Sequence, residues 1–154
     1  MAREIERKFL VRDKRYRQLA EPISCRQGYL STAKERIVRV RVEGDKAYLT
    51  VKGATSGIMR TEYEYEIPPS EAEEMLERLC EKPIIEKDRY EIEYDGMIWQ
   101  VDEFHGPNEG LVVAEVQLDQ EDQEISKPDW IDDEVSGEPK YFNSNLVKNP
   151  YSKW

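Results

Sequence analysis

The chain has 154 residues, 36% charged and 38% hydrophobic, with a net charge of −10. That length suits a single domain, 1–154, with a sizeable core, and nine Tyr, three Trp and three Phe argue against disorder. The acidic balance disfavours a nucleic-acid or acidic-membrane binder but leaves room for a local anion pocket, and no apolar run approaches the roughly 20 residues of a membrane span.

A first strand is predicted over residues 3–11, where Ile5, Arg7 and Phe9 alternate with Glu4, Glu6 and Lys8. A short helix is expected to open at Asp13, with Tyr16 and Leu19 on one side. Residues 24–30 read as a second strand. Ile37 breaks phase at the start of the third, over 37–42; then Val38, Val40 and Val42 face one way and Arg39 and Arg41 the other. Gly44-Asp45 is a hairpin turn, and 46–52 returns with Thr50 and Lys52 sharing a face. Gly53 and Gly57 bracket a loop before 60–67, where Arg60, Glu62, Glu64 and Glu66 oppose Thr61, Tyr63, Tyr65 and Ile67.

Pro68-Pro69 stops that strand, and Ser70 with Glu73 predicts a capping box. Ala72, Met75, Leu76, Leu79 and Cys80 then trace an amphipathic helix ending before Pro83. Strands follow at 84–94, 97–104 and 111–118, with turns at Asp95-Gly96 and Gly106–Gly110. In the tail, helical pieces are expected at 120–125 and 142–147, with Asp119–Glu124 a solvated helical run and Trp130 an anchor. Cys25 and Cys80 form no CxxC pair and read as reduced, buried fillers. The expected fold is α+β, mainly β: an antiparallel β-barrel of eight strands with packed helices. No secretory h-region follows the N-terminus, so a cytoplasmic protein is expected.

The charged faces group by strand as Glu4, Glu6, Lys8; Arg39, Arg41; Lys52; Arg60, Glu62, Glu64; Lys87, Arg89; Asp102; and Glu115, Gln117. Two arrangements fit. These faces are solvated and the apolar ones (Ile5, Phe9, Val38, Val40, Val42, Tyr63, Tyr65, Val112, Val116) fill the barrel, or the apolar faces pack outward and the lumen is charged. A charged lumen must be wet, internally paired or built for a charged ligand. Its basic set suits several phosphates, and its acidic set offers oxygen ligands to a hard cation such as Mg²⁺.

The ordered set Glu4-x-Glu6-x-Lys8, Arg39-x-Arg41, Lys52, Glu62-x-Glu64, Lys87-x-Arg89, Asp102 and Glu115 resembles the CYTH superfamily, the triphosphate tunnel metalloenzymes. The likeness spans nearly the whole chain, including Arg26–Leu30 and the closing Lys140-Tyr141-x-Asn143-x-x-Leu146. It implies an eight-stranded tunnel that binds triphosphates with Mg²⁺ or Mn²⁺. The family includes inorganic and thiamine triphosphatases, class IV adenylate cyclases and some RNA triphosphatases; this chain looks most like bacterial stand-alone inorganic triphosphatases. By that likeness Glu4, Glu6 and Glu115 hold metal, with Glu62, Glu64 and Asp102 as ligands or orienting groups. Lys8, Arg39, Arg41, Lys52, Lys87 and Arg89 bind phosphate oxygens, and Gln27 and Tyr29 line the tunnel. Glu6, Lys8, Tyr29 and Glu115 are the candidate catalytic residues.

One position departs from the family pattern: Gln117 stands where a second last-strand Glu is common, which weakens any second metal position. No residue is assignable to reading adenine or activating a ribose hydroxyl, so tripolyphosphate is expected over ATP. The alternatives are a class IV-type adenylate cyclase or a thiamine triphosphatase using the same tunnel and, in another class, a non-catalytic polyphosphate-binding module. The partner is a small triphosphate, neither nucleic acid nor membrane, and the protein is a monomer or homodimer. The lone His105 sits in a turn without a partner.

Overall fold

Alternation at period two, cut by glycine turns, lays most of the chain out as antiparallel strands. The computed structural model describes residues 3–154. Its strands are β1 (Arg3–Val11), β2 (Ile23–Ser31), β3 (Arg36–Glu43), β4 (Lys46–Gly53), β5 (Met59–Ile67), β6 (Ile85–Tyr94), β7 (Met97–Phe104), β8 (Val112–Gln117) and β9 (Ile131–Glu134). The first eight pair in the order β5-β4-β3-β2-β6-β7-β8-β1. β1 then meets β5, with Glu4 opposite Arg60 and Ile5 opposite Met59, and this closes an eight-stranded antiparallel barrel. β9, absent from the sequence reading, covers the other half of β1, placing Glu134 opposite Phe9 and Ile131 opposite Val11. The β6–β7 hairpin turns through Asp95 and Gly96, both with positive φ, the conformation that matches the strand twist.

Two apolar zones brace the barrel from outside. Ile5, Phe9, Trp99, Val101 and Val116 pack with Tyr16, Trp130 and Ile131 on one flank. On the other, helix α1 (Pro69–Arg78) sets Ala72 and Leu76 against Val40 and Ala47. Gly28 of β2 lets this layer come close, since a Cβ there would stand 2.8 Å from Cys80 Cβ. A third cluster lies within the bore. Tyr29, Ile37, Ile85, Phe104 and Val113 meet Val135, Tyr141, Leu146 and Val147 of the tail, which includes helix α2 (Asn143–Leu146). The barrel interior is therefore apolar towards one end and charged elsewhere.

Several local expectations are corrected. His105 does have a partner: its Nε2 stands 3.0 Å from Asp88 Oδ2. α1 starts at Pro69, whose fixed φ suits a first helical position, so Ser70 lies inside the first turn and the capping box does not form. Leu79 falls beyond the last turn and is exposed. Only a 3-10 turn, Arg15–Gln18, occupies the segment after β1; it buries Tyr16 but leaves Leu19 outside. Residues 120–125 are not helical: the Asp119 amide donates instead to Gln123 Oε1 at 2.6 Å, a local bond that competes with helix formation. Ile37 does not break phase; it shares the inward face with Arg39 and Arg41. Tyr63 and Tyr65 point outward as expected but remain exposed, because α1 packs on β3 and β4 and not over them. Among the described residues no helix is long and apolar enough to cross a membrane.

Candidate active site

Inward-facing positions of the barrel strands meet around a cavity of about 250 Å³. Glu4, Glu6 and Lys8 come from β1, Tyr29 from β2, Arg39 and Arg41 from β3, and Lys52 from β4. β5 supplies Glu62 and Glu64, β6 supplies Lys87 and Arg89, and β8 supplies Glu115. Asp102 does not line the cavity; it is buried behind Lys87 and Arg89 and bonded to both. Gln27 is likewise behind the wall, donating to the Tyr29 hydroxyl at 3.0 Å.

Arg60, grouped with the charged faces in the sequence but given no separate role, lines the cavity, as do Gln100, Ser136, Phe142, Asn143 and Ser144, which the sequence reading did not single out for the site. Gln100 was findable from strand alternation with Asp102. The tail residues arrive through tertiary docking, which leaves no periodic signal.

The charges interlock. Lys52 Nζ stands 3.2 Å from Glu4 Oε1 and 3.3 Å from Glu62 Oε2. Lys8 Nζ is 3.5 Å from Glu115 and donates to the Tyr141 carbonyl at 3.2 Å. Arg41 lies 3.4 Å from both Glu43 and Glu64, and Glu43 also reaches Arg89 at 3.3 Å. Asp102 faces Arg89 at 2.8 Å and Lys87 at 2.8 Å. Gln117 donates to Glu6 Oε2 at 3.1 Å, so the last-strand amide partners a carboxylate that a Glu there would repel. Arg39 donates to Thr50 Oγ1 at 3.2 Å, yet its Nε is a buried donor without a partner; the Nε of Arg41, also without a hydrogen bond, has Glu43 Oε1 at 3.4 Å.

These contacts set the protonation states. Burial together with Glu115 and Glu4 pushes Glu6 up to about 8. Burial and a hydrogen bond that its protonated carboxyl donates to the neighbouring Glu4 raise Glu62 to about 7; burial also works against Glu4, but Lys52 and the same hydrogen bond, which Glu4 accepts, take it down to about 2. Burial lowers Lys87 to about 8 despite Asp102. Burial opposes the charge of Lys8 and of Asp102, and in both the partners prevail: Glu115 and Glu6 raise Lys8, while Arg89 and Lys87 hold Asp102 well below the usual carboxylate range. The wall thus crowds carboxylates on the β1 side and cations across from them.

A CYTH domain model matches residues 2–151. This chain belongs to the CYTH domain family. It is 57% identical over 154 residues to an inorganic triphosphatase of Acetivibrio thermocellus, covering all of this chain and 99% of that one. It is 36% identical over 148 residues to an inorganic triphosphatase of Nitrosomonas europaea, covering 94% and 96%. A crystal structure of an inorganic triphosphatase superposes with a TM-score of 0.64 at 32% identity, over 96% of this chain and 95% of that one. A protein from Hippeastrum with a dominant triphosphatase activity shares the fold alone, at 15% identity and a TM-score of 0.58 over 76% of this chain and 80% of that one.

Proposed function

We propose that the protein hydrolyses inorganic tripolyphosphate to pyrophosphate and orthophosphate. The observation that carries this is the cavity wall. Seven Lys and Arg side chains face five Glu around a space of about 250 Å³, in a protein of net charge −10. A cavity below the roughly 300–1,000 Å³ of drug-sized ligand sites suits a compact anion without a nucleobase. The Nε donor of Arg39, buried without a partner, supplies the same signal at the level of atoms.

Phosphoryl transfer asks the protein mainly for alignment and charge neutralisation. Arg39, Arg41, Lys52, Lys87 and Arg89 bind non-bridging oxygens and hold the phosphates in line. Water oxygen forms a bond to a terminal phosphorus as the bridging P–O bond breaks; the leaving pyrophosphate takes the electron pair, and the proton that the water gives up ends on the phosphate products or in solvent. Lys8 neutralises charge that develops on the reacting or departing group. Asp102, bonded to Lys87 and Arg89 behind the wall, orients those two cations.

Among the described residues no three acidic, His or Cys side chains already form a metal centre. The donor set nevertheless fits a hard divalent cation. Glu4, Glu6, Glu62, Glu64 and Glu115 all face one cavity, and burial together with the like charge of Glu115 and Glu4 raises Glu6. Glu4, Glu6 and Glu115 would hold Mg²⁺ or Mn²⁺, with Glu62 and Glu64 contributing. Bound there, the cation supplies charge neutralisation and a more acidic water. Wall residues run from Glu4 to Ser144, which supports reading 1–154 as one domain, and both cysteines are free and buried, which fits the cytoplasm.

The test is a panel of tripolyphosphate, ATP, GTP and thiamine triphosphate with Mg²⁺ and Mn²⁺, reading phosphate and cyclic nucleotide. Tripolyphosphate turnover that falls by at least about 100-fold in Glu6→Gln is the expected result. Cyclic AMP from ATP as the main product, or wild-type turnover in Glu6→Gln, would overturn it.

A further inference from the structure

Lys87 is held from two sides. Asp102 Oδ2 lies 2.8 Å from Nζ, and Asn143 Oδ1 accepts a hydrogen bond from it at 2.9 Å. The same Asn143 oxygen accepts from Gln27 Nε2 at 3.1 Å. Two donors converging on one atom decide which end of the amide faces inward, because only the oxygen satisfies both. Gln27 is fully buried and also bonded to the Tyr29 hydroxyl, so this anchor is itself fixed.

An ammonium has three N–H donors. Asp102 and Asn143 engage two on Lys87, and the tetrahedral geometry of the nitrogen then fixes the direction of the third. Asp102 alone cannot do this. It is already bonded to Arg89 through both oxygens, and with Asn143 removed the ammonium is drawn towards that carboxylate. The tail delivers Asn143 with accuracy, since the flanking Tyr141 and Leu146 are buried in the apolar end of the bore. Tyr141 and Phe142, adjoining it, meet the other deep lysine: Lys8 donates to the Tyr141 carbonyl, and its Nζ stands 5.4 Å from the Phe142 ring centroid.

We propose that Asn143 is a positioning residue of the phosphate site, its side-chain oxygen aiming the Lys87 ammonium at the bound triphosphate. This rests on the triphosphatase reading and adds to it a tail residue that acts through a strand residue. The barrel strands supply the cations, and the tail sets the direction of one of them.

The experiment is a double-mutant cycle on tripolyphosphate hydrolysis, with Asn143→Leu and Asn143→Ala each made in the wild-type and Lys87→Ala backgrounds, and Tm measured throughout. In the wild-type background kcat/KM is expected to fall about tenfold, mostly through KM, as for loss of one hydrogen bond to a charged group. In the Lys87→Ala background the same change is expected to matter by less than about twofold. Equal losses in both backgrounds, or wild-type kinetics in a folded Asn143→Leu protein, would overturn the positioning role. Should Asn143→Leu not fold, Asn143→Ala carries the same comparison. A wild-type protein inert towards tripolyphosphate would instead bring down the parent reading, and this one with it.

Discussion

Arg89 and Asp102 face each other inside the barrel wall through two parallel hydrogen bonds, 2.8 Å from Nε and 2.9 Å from Nη2. Lys87 shares the same carboxylate at 2.8 Å. Asp102→Ala leaves two buried cations without this counter-charge and is expected to cost about 3–5 kcal/mol in a denaturant titration. A loss near zero would mean that water or a bound anion already neutralises the pair.

A pH effect is expected away from the cavity. Hydrogen bonds from Arg17, and then Tyr16, outweigh partial burial and take Glu103 down to about 2. Because the folded value is depressed, the group stabilises the fold above its unfolded pKa of about 4.3 and loses that contribution as pH falls towards 2. Thermal melts from pH 6 to pH 2 should therefore show a shallower acid decline in Glu103→Gln. Parallel curves for the two proteins would rule this out.

Strand alternation made nearly all of the wall legible in the sequence: Glu4, Glu6, Lys8, Arg39, Arg41, Lys52, Glu62, Glu64, Lys87, Arg89 and Glu115 share one cavity because each faces inward from a pleated strand. What alternation could not give was depth. Asp102 has the same inward parity as Gln100, yet it is buried behind two cations while Gln100 lines the cavity. The contribution of Phe142 and Asn143 depends on docking of the tail, and β9 is four residues of mostly acidic sequence with no strand signature.

Gly28 sets the spacing between β2 and the end of α1. A methyl group there meets Cys80 Cβ at 2.8 Å and Ile84 Cδ1 at 2.9 Å. Gly28→Ala should destabilise the protein by about 1–3 kcal/mol through overpacking. An unchanged denaturation midpoint would mean that this layer shifts freely.

Leu146 is fully buried where the tail enters the bore. Leu146→Ala is expected to cost about 2–5 kcal/mol. It should also raise KM for tripolyphosphate, because Phe142 and Asn143 lose their seat; a stability loss with unchanged KM would separate the tail from the site.

Arg39→Lys keeps the charge but gives up the guanidinium fork, including the buried Nε donor. We expect kcat/KM on tripolyphosphate to drop about tenfold with little change in Tm. Full activity in the lysine variant would show that Arg39 acts only as a point charge.

β1 is fastened along both sides. β8 lies on one; on the other, β5 takes residues 3–5 and β9 takes Phe9 and Val11. Between them the Glu6 amide donates to the Ile58 carbonyl at 3.2 Å, and the Lys8 amide to the Ser136 hydroxyl at 2.8 Å. The strand that presents Glu4, Glu6 and Lys8 can neither slip register nor twist without giving up bonds to several elements at once. Its two carboxylates and ammonium are therefore preorganised: the entropy of ordering their backbone is lost during folding, and an arriving ligand finds their spacing already set.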